Sequence, residues 1–329
     1  TSAALIICLG TSSLLPLPLG SFLSPQHGIW QNAEPVKQNF TAKLLFPALK
    51  GKSTVYLDDR LVPHIVADND EDACFLQGYL HARFRLWQME FQTYAAAGRI
   101  SEIVGDKAVN FDKGKRRLGM VYAAENMLKE MEANAITKAM VDNYTAGVNA
   151  YIASLPESRL PVEYKLLGYK PEKWSNLKTA LFVKQMAQTL SGFSDDLPLT
   201  KARAFFSDEA LRILFPQVAD SLDPVIPKGT VFPPASVTPV APAHADSVYI
   251  NNISGNLPEI EKPNPANGSN NWAVSGSLTR SGAPILCNDP HLALNLPSLW
   301  YEMQISTPDF NAYGVSFPGS PGVIIGFND

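Results

Sequence analysis

Cysteine is scarce in this 329-residue chain: Cys8, Cys74 and Cys287 are an odd number, and no two form a CxxC pair. Such a set builds neither a disulfide framework nor a thiolate zinc site. The five histidines, His27, His64, His81, His244 and His291, are scattered and include no HExxH, which argues against a transition-metal enzyme. Glycine-rich phosphate cradles of the GxxxxGKS/T and GxGxxG types are missing, and no organic cofactor is expected. The segment PGSPG at 318–322 misses the GxSxG elbow because Pro318 stands where glycine is required. Charge is low as well. Charged residues make up 18% of the chain and the formal net charge is −4, so no basic face for a nucleic-acid partner is expected.

Apolar residues are plentiful at 46%, enough for a large buried core in one big domain or two smaller ones. Residues 1–23, TSAALIICLGTSSLLPLPLGSFL, are apolar and uncharged. Residues 1–25 are therefore read as the remnant of a signal peptide or an N-terminal anchor, which implies export, to the periplasm, and a membrane contact only through that anchor. Lacking an initiating Met and a basic leader, the segment reads as though the true start lies upstream. The plainer alternative is a buried N-terminal segment, although Pro16 and Pro18 disfavour a long helix there.

Residues 53–67, STVYLDDRLVPHIVA, alternate as two strands around an Asp58-Asp59 turn. A long helix is expected from Glu71 to Ala97. Asp68 or Asn69 caps it, Asp70, Glu71 and Asp72 complement its positive end, and Gly98 stops it. Its stripe of Phe75, Tyr79, Ala82, Leu86 and Met89 reads as core. Further helical regions are expected at 120–155, 175–192 and 199–215. SNLK at 175–178 matches SxxK, but Ser175 sits where a helix cap belongs and no KTG follows.

From about Asp223 to Gly268 the chain is dense in Pro, Ala and Asn and reads as a linker. At Gly268-Ser269 it turns abruptly to β character. NWAVSGS, containing a Trp272 expected to be buried, and APILCND flank a turn at 279–282, and WYEMQIST and NAYGVSF follow as strands. The chain then stops at Asp329 without a closing element, which reads as a fragment.

Asn267-Gly268 can be a tight turn with Ser269 as its exit. The same residues also suit chemistry. A serine hydroxyl needs a base, and an N-terminal serine carries its own, an α-amine with a pKa of about 7.7–8.0. Freeing that amine requires cutting the Gly268–Ser269 bond. Glycine leaves the scissile carbonyl unshielded, and a proline-spaced segment upstream can bend in and then leave.

The text around Ser269 sharpens the choice. SNNWAVSGSLTRSGAPILCNDPHL, from Ser269 to Leu292, resembles the opening of the β-chain in the penicillin acylase family of N-terminal nucleophile hydrolases. LPSLWYEMQI and GVSFPGSPGVIIGFND continue the match. VPHIVADNDEDACFLQGYLHARFRLWQMEFQTYAAAGRISEIVG, Val62 to Gly105, is similar to the opening of the family's α-chain. The resemblance implies an α+β fold, the four-layer αββα sandwich of Ntn hydrolases, incomplete here and with a mainly helical α-chain region. It also implies one precursor giving an α-chain at 26–222, a spacer at about 223–268 and a truncated β-chain at 269–329.

Carried over by position, Ser269 is the nucleophile and Gly268-Ser269 the autoproteolytic bond. His291 falls where some relatives place a histidine beside the nucleophile. Met186, Leu190, Leu292 and Ile325 take acyl-pocket positions, apolar here, although core packing explains them equally. Asp196 takes the place of one ligand to a structural calcium, and an exposed acidic loop explains it equally. Two departures matter. Arg83-Phe84-Arg85 replaces the family's Gln-Asp-Arg and removes an acid. The other calcium ligands and the oxyanion-hole Asn of the family fall beyond Asp329, so this piece alone is expected to be inactive. The expected substrate is a small-molecule amide of a hydrophobic acyl group. The alternatives are an acyl-homoserine lactone or lipopeptide in the same kind of site, a serine enzyme with a separate histidine base, and a non-catalytic envelope binding protein on the same scaffold.

Overall fold

The computed structural model describes residues 2–10, 19–33, 39–191, 196–215, 226–227, 229–233, 268–292 and 294–328. The chain divides into two compact units, Thr1–Ser191 together with Pro258–Asp329, and Gly192–Leu257. The first unit opens with α1 (Ser2–Gly10) and α2 (Leu19–Phe22), and then β1 (Ser53–Leu57) and β2 (Pro63–Ala67) form the expected hairpin. Asp58 closes its turn, with Oδ1 accepting from the Arg60 and Val62 amides. No helix among the described residues is long and apolar enough to cross a membrane.

The long helix α3 (Asp70–Ala97) follows. Asn69 caps it by accepting from the Asp72 amide, and Gly98 ends it in the left-handed conformation that glycine adopts without penalty. The short α4 (Ser101–Val104) and α5 (Val109–Arg117) come next, two helices the sequence pattern did not announce. Buried Asp112 ties them to the end of α3 by accepting from the Ile100 and Ser101 amides. The single helical region expected at 120–155 is two helices, α6 (Met120–Ala133) and α7 (Ala135–Ser154). They break at Asn134, whose side chain accepts from the Ile136 and Thr137 amides and so starts a new helix. After α8 (Val162–Leu167), Ser175 caps α9 (Asn176–Leu190) through the Lys178 amide, so SNLK is a cap.

Helix α3 lies at the centre of the unit. One side packs with Ile65, Tyr301, Met303 and Ile305 of the sheet through Phe75, Leu76 and Leu80. Ala82, Leu86 and Met89 pack with Tyr144 and Val148 of α7 and with Tyr164 and Trp174. Two glycines let α3 and α7 touch backbone to backbone. A Cβ at Gly78 would lie 2.1 Å from the Tyr144 carbonyl oxygen, and one at Gly147 would lie 1.9 Å from that of Phe75. Glu90, almost wholly buried on α3, accepts from Lys178 Nζ at 2.8 Å, Tyr164 OH at 2.6 Å and the Glu172 amide at 2.8 Å. Such full pairing is what a buried carboxylate requires.

Five strands form the main sheet in the order β1-β2-β5-β6-β7, with β5 (Tyr301–Ser306), β6 (Asn311–Ser316) and β7 (Ile325–Asn328). All neighbours are antiparallel except β2 and β5, which run parallel with His64 opposite Gln304 and Val66 opposite Ser306. A separate two-stranded ribbon joins β3 (Gly268–Val274) to β4 (Ile285–His291). The fold is thus α+β, as expected. Of the four implied layers, the described residues supply helices, one five-stranded sheet and the ribbon. In the second unit, α10 (Asp196–Arg203) and α11 (Asp208–Leu214) replace the one helix expected at 199–215, because Ser207 caps α11 through the Ala210 amide. Most of the expected linker at 223–268 lies outside the described residues.

Candidate active site

The ribbon is built by its turn. Ser275 Oγ receives the Ser277 amide, and Thr279 Oγ1 donates to the Ala283 carbonyl at 2.7 Å, which brings β4 back along β3 in register. The register places Gly268 opposite His291, Ser269 opposite Pro290 and Asn270 opposite Asp289. Side chains of opposed residues share a face, and faces alternate along a strand. His291 and Asp289 therefore stand on one face with Gly268 and Asn270, while Ser269 belongs to the other.

Ser269 Oγ donates to the Gly268 carbonyl oxygen at 2.6 Å, so the hydroxyl lies against the peptide it is expected to cleave. His291 Nε2 bonds Asp289 Oδ2 at 2.8 Å. Its Nδ1 lies 3.6 Å from where a Cβ on Gly268 would stand, so the imidazole flanks the glycine and not the serine hydroxyl. Asp289 is a candidate site residue that sequence reasoning missed. Its i,i+2 spacing to His291 was the available signal, because that spacing in a strand puts both on one face. Trp272, expected to be buried, is 51% exposed. Its strand has only β4 as a hydrogen-bonded neighbour, and most residues of both strands are exposed.

The acyl-pocket positions are distributed unevenly. Met186 is buried on α9 among Phe182 and Phe317, with Leu299 and Trp300 packed alongside. Leu190 ends the same helix largely exposed, Leu292 lies half-buried just past β4, and Ile325 opens β7 opposite Val315. Two sizeable cavities lie elsewhere. One of about 530 Å³ is lined by Cys74, Gln77, Met140 and Ile305, and another of about 650 Å³ by Phe46, Val55, Leu76 and Arg83; Ser269 lines neither.

Asp196 is the first residue of α10, and its side chain lies outside the described residues. Among the described residues no three His, Cys, Asp or Glu side chains gather into a group that could hold a metal ion. At the departure Arg83-Phe84-Arg85, aromatic contact stands in for the missing acid. The Phe84 ring stacks on Tyr301 at 5.9 Å, and the Arg83 and Arg85 guanidinium groups lie over the Phe84 and Tyr301 rings.

A sequence model of the penicillin amidase family matches residues 52–329. The chain belongs to the penicillin amidase family. It is 30% identical over 283 residues to a penicillin acylase 2 proenzyme of Pseudomonas sp. (strain SE83), covering 86% of this chain and 35% of the relative. With an acyl-homoserine lactone acylase QuiP of Pseudomonas aeruginosa it shares 31% identity over 271 residues, covering 81% of this chain and 31% of that protein. A thermostable penicillin G acylase from Alcaligenes faecalis superposes with a TM-score of 0.45 at 22% identity, over 56% of this chain and 98% of that one. This penicillin amidase family chain thus spans about a third of the length of the curated relatives it matches.

Proposed function

We propose that this penicillin amidase family member is an exported amidohydrolase made as a precursor, in which Ser269 first cuts its own chain and then hydrolyses amides of hydrophobic acyl groups. The observation that carries this reading is the Ser269 hydroxyl lying 2.6 Å from the carbonyl oxygen of Gly268, a residue with no side chain to shield that carbonyl. In processing, Oγ attacks the Gly268 carbonyl carbon. The C–N bond breaks, the serine nitrogen takes up the proton that Oγ gives up and becomes a free amine, and the acyl group rests on Oγ as an ester. Water then releases Gly268 as a carboxylate.

In catalysis the freed α-amine takes the hydroxyl proton as Oγ attacks the substrate amide, and it delivers that proton to the departing amine. It next draws a proton from the water that hydrolyses the acyl-enzyme. The ribbon geometry supports the amine as base, because His291 stands on the opposite face beside Gly268. His291→Ala is accordingly expected to leave chain cleavage in place. Under this reading the α-chain ends within the proline-rich stretch before residue 268, and Met186 lies in the wall that receives the acyl group.

The nature of that group has two candidates. A β-lactam side-chain amide is one. The relatives named acyl-homoserine lactone acylases favour the other, an N-acyl homoserine lactone.

The test is to express the complete reading frame and to measure intact mass and N-terminal sequence. Two chains, one beginning Ser-Asn-Asn-Trp, are expected from the wild type, and a single uncut chain from Ser269→Ala, which should also lose hydrolysis. A folded, uncut wild-type product would overturn the mechanism and leave a non-catalytic binding protein. Panels of phenylacetyl amides and N-acyl homoserine lactones then separate the two substrate classes.

A further inference from the structure

The turn at residues 317–322, between β6 and β7, is held by a buried chain of hydrogen bonds whose direction can be assigned atom by atom. Ser316 Oγ donates to the Tyr301 carbonyl oxygen at 2.9 Å, and a carbonyl can only accept. Ser316 therefore accepts from His81 Nε2, also at 2.9 Å, so that nitrogen carries the ring proton. Nδ1 is then an acceptor, and its partner at 2.8 Å is the Tyr144 hydroxyl, which must donate to it. The Tyr144 oxygen is left to accept, and it receives the Gly319 amide at 2.9 Å. One tautomer satisfies every member. His81, Tyr144 and Ser316 are all fully buried.

A second clamp holds the far end of the turn. Gln77 Oε1 accepts from the Gly322 amide at 2.8 Å, and its Nε2 donates to the Gly322 carbonyl at 2.9 Å. Between the clamps the turn meets α9. Phe317 stacks on Trp300 at 4.5 Å and meets the Phe182 ring edge-on at 6.2 Å. At Gly319, φ is 129° and a Cβ would stand 2.7 Å from the Phe182 ring, so the fit leaves room for no side chain. Phe182 and Phe317 are the residues that enclose Met186.

We propose that Tyr144, oriented by His81, is a positioning residue that fixes the 317–322 turn against Phe182 and thereby sets the acyl-chain length accepted at Met186. The length preference rests on the acylase reading; the clamping of the turn does not. Tyr144→Phe keeps the ring and its packing and removes only the hydroxyl, leaving the Gly319 amide and His81 Nδ1 without partners. Movement of the turn then changes the room between Phe317, Phe182 and Met186. A methylene more or less in an apolar pocket shifts relative kcat/KM by about 10- to 200-fold.

Two measurements on the full-length protein test this. In the first, hydrogen exchange followed by mass spectrometry compares wild type with Tyr144→Phe. Exchange in the peptide carrying residues 317–322 is expected to speed up at least about tenfold, with peptides of α9 unchanged. In the second, kcat and KM are measured for amides of acyl groups from two to twelve carbons. The variant is expected to process normally and to keep kcat on its best short substrate, while the long-to-short ratio of kcat/KM moves by about tenfold or more.

Unchanged exchange overturns the clamp. Altered exchange with an unchanged length profile overturns the specificity role. A wild type that neither processes nor hydrolyses overturns the acylase reading and the length preference together, and leaves the exchange result to judge the clamp. Should Tyr144→Phe fail to fold, nitrogen-15 spectra of wild-type His81 decide the arrangement. A proton on Nε2 and none on Nδ1 supports the chain of bonds, and the other tautomer overturns it.

Discussion

Around α3, polar side chains find partners far along the chain: His81 bonds Ser316, Gln77 bonds Gly322, and Glu90 bonds Lys178. In the β3–β4 ribbon, the hydrogen bonds described for Ser269, Asp289 and His291 all close within the hairpin, and Trp272 and Leu286 stay more than half exposed. The first region is over-determined, since each buried group is held by several others. The second is a hairpin, marginal on its own, whose geometry rests on its turn and its register. Under the proposed mechanism the bond to be cut therefore lies in the less constrained of the two regions.

The contrast can be broken from either side. Acid is expected to have the largest effect on the body. Burial pushes His81 down to about 3, with Arg85 adding a smaller push in the same direction. The unfolded chain therefore binds a proton between its ordinary value of 6.5 and about 3 that the folded chain refuses. Stability is full above that window and falls as pH drops through it, by roughly 4–5 kcal/mol in all. About 2 kcal/mol of this should be lost between pH 6.5 and 5. Glu172, held down to about 2 chiefly by the Arg99 guanidinium, adds its own loss only below its ordinary value of 4.5. Urea unfolding at pH 7, 5 and 3.5 measures the slope, and a flat profile between 7 and 5 would contradict a neutral buried His81.

Lys178→Met comes next. It leaves Glu90 buried with its counter-charge removed and should cost about 3–5 kcal/mol by the same measurement. Gly147→Ala drives a methyl group into the Phe75 carbonyl and should cost about 1–3 kcal/mol, read as a lowered melting temperature. At the small end, Ser269→Ala should change the unfolding free energy of the uncut chain by no more than about 0.5 kcal/mol, even though the proposed mechanism has it end processing. A large loss from that exposed serine would show that the ribbon is knitted into the body after all.

Much of the body was legible in the sequence. Asn69, the stripe from Phe75 to Met89 and Gly98 mark the start, face and end of α3, because caps and periodicity are local signals. Asn134 was passed over. One polar residue looks like any other helix position until its side chain is seen capping Ile136 and Thr137. The parallel pairing of β2 with β5 joins residues some 240 positions apart, and no local pattern encodes that. At the candidate site the shift into β pattern drew attention to Gly268 and Ser269 but fitted a plain turn as well, and the resemblance supplied their roles and that of His291. Asp289 was signalled only by its i,i+2 spacing to His291 within the strand. Met186 alone of the four acyl-pocket positions proves buried in an aromatic cluster, because burial depends on which elements meet.

That parallel pairing has a further meaning if the chain is cut after Gly268 as proposed. β2 lies before the cut and β5 after it, yet they are neighbours in one sheet, and α3 packs on both. Under the proposed cleavage, a seam inside one polypeptide would become the interface of a heterodimer. In the uncut chain the two halves meet at the high effective concentration that a tether provides; after the cut they could find each other again only as separate molecules. On that reading folding would have to come before cleavage, and the cut product would be held together by a sheet it could not readily rebuild.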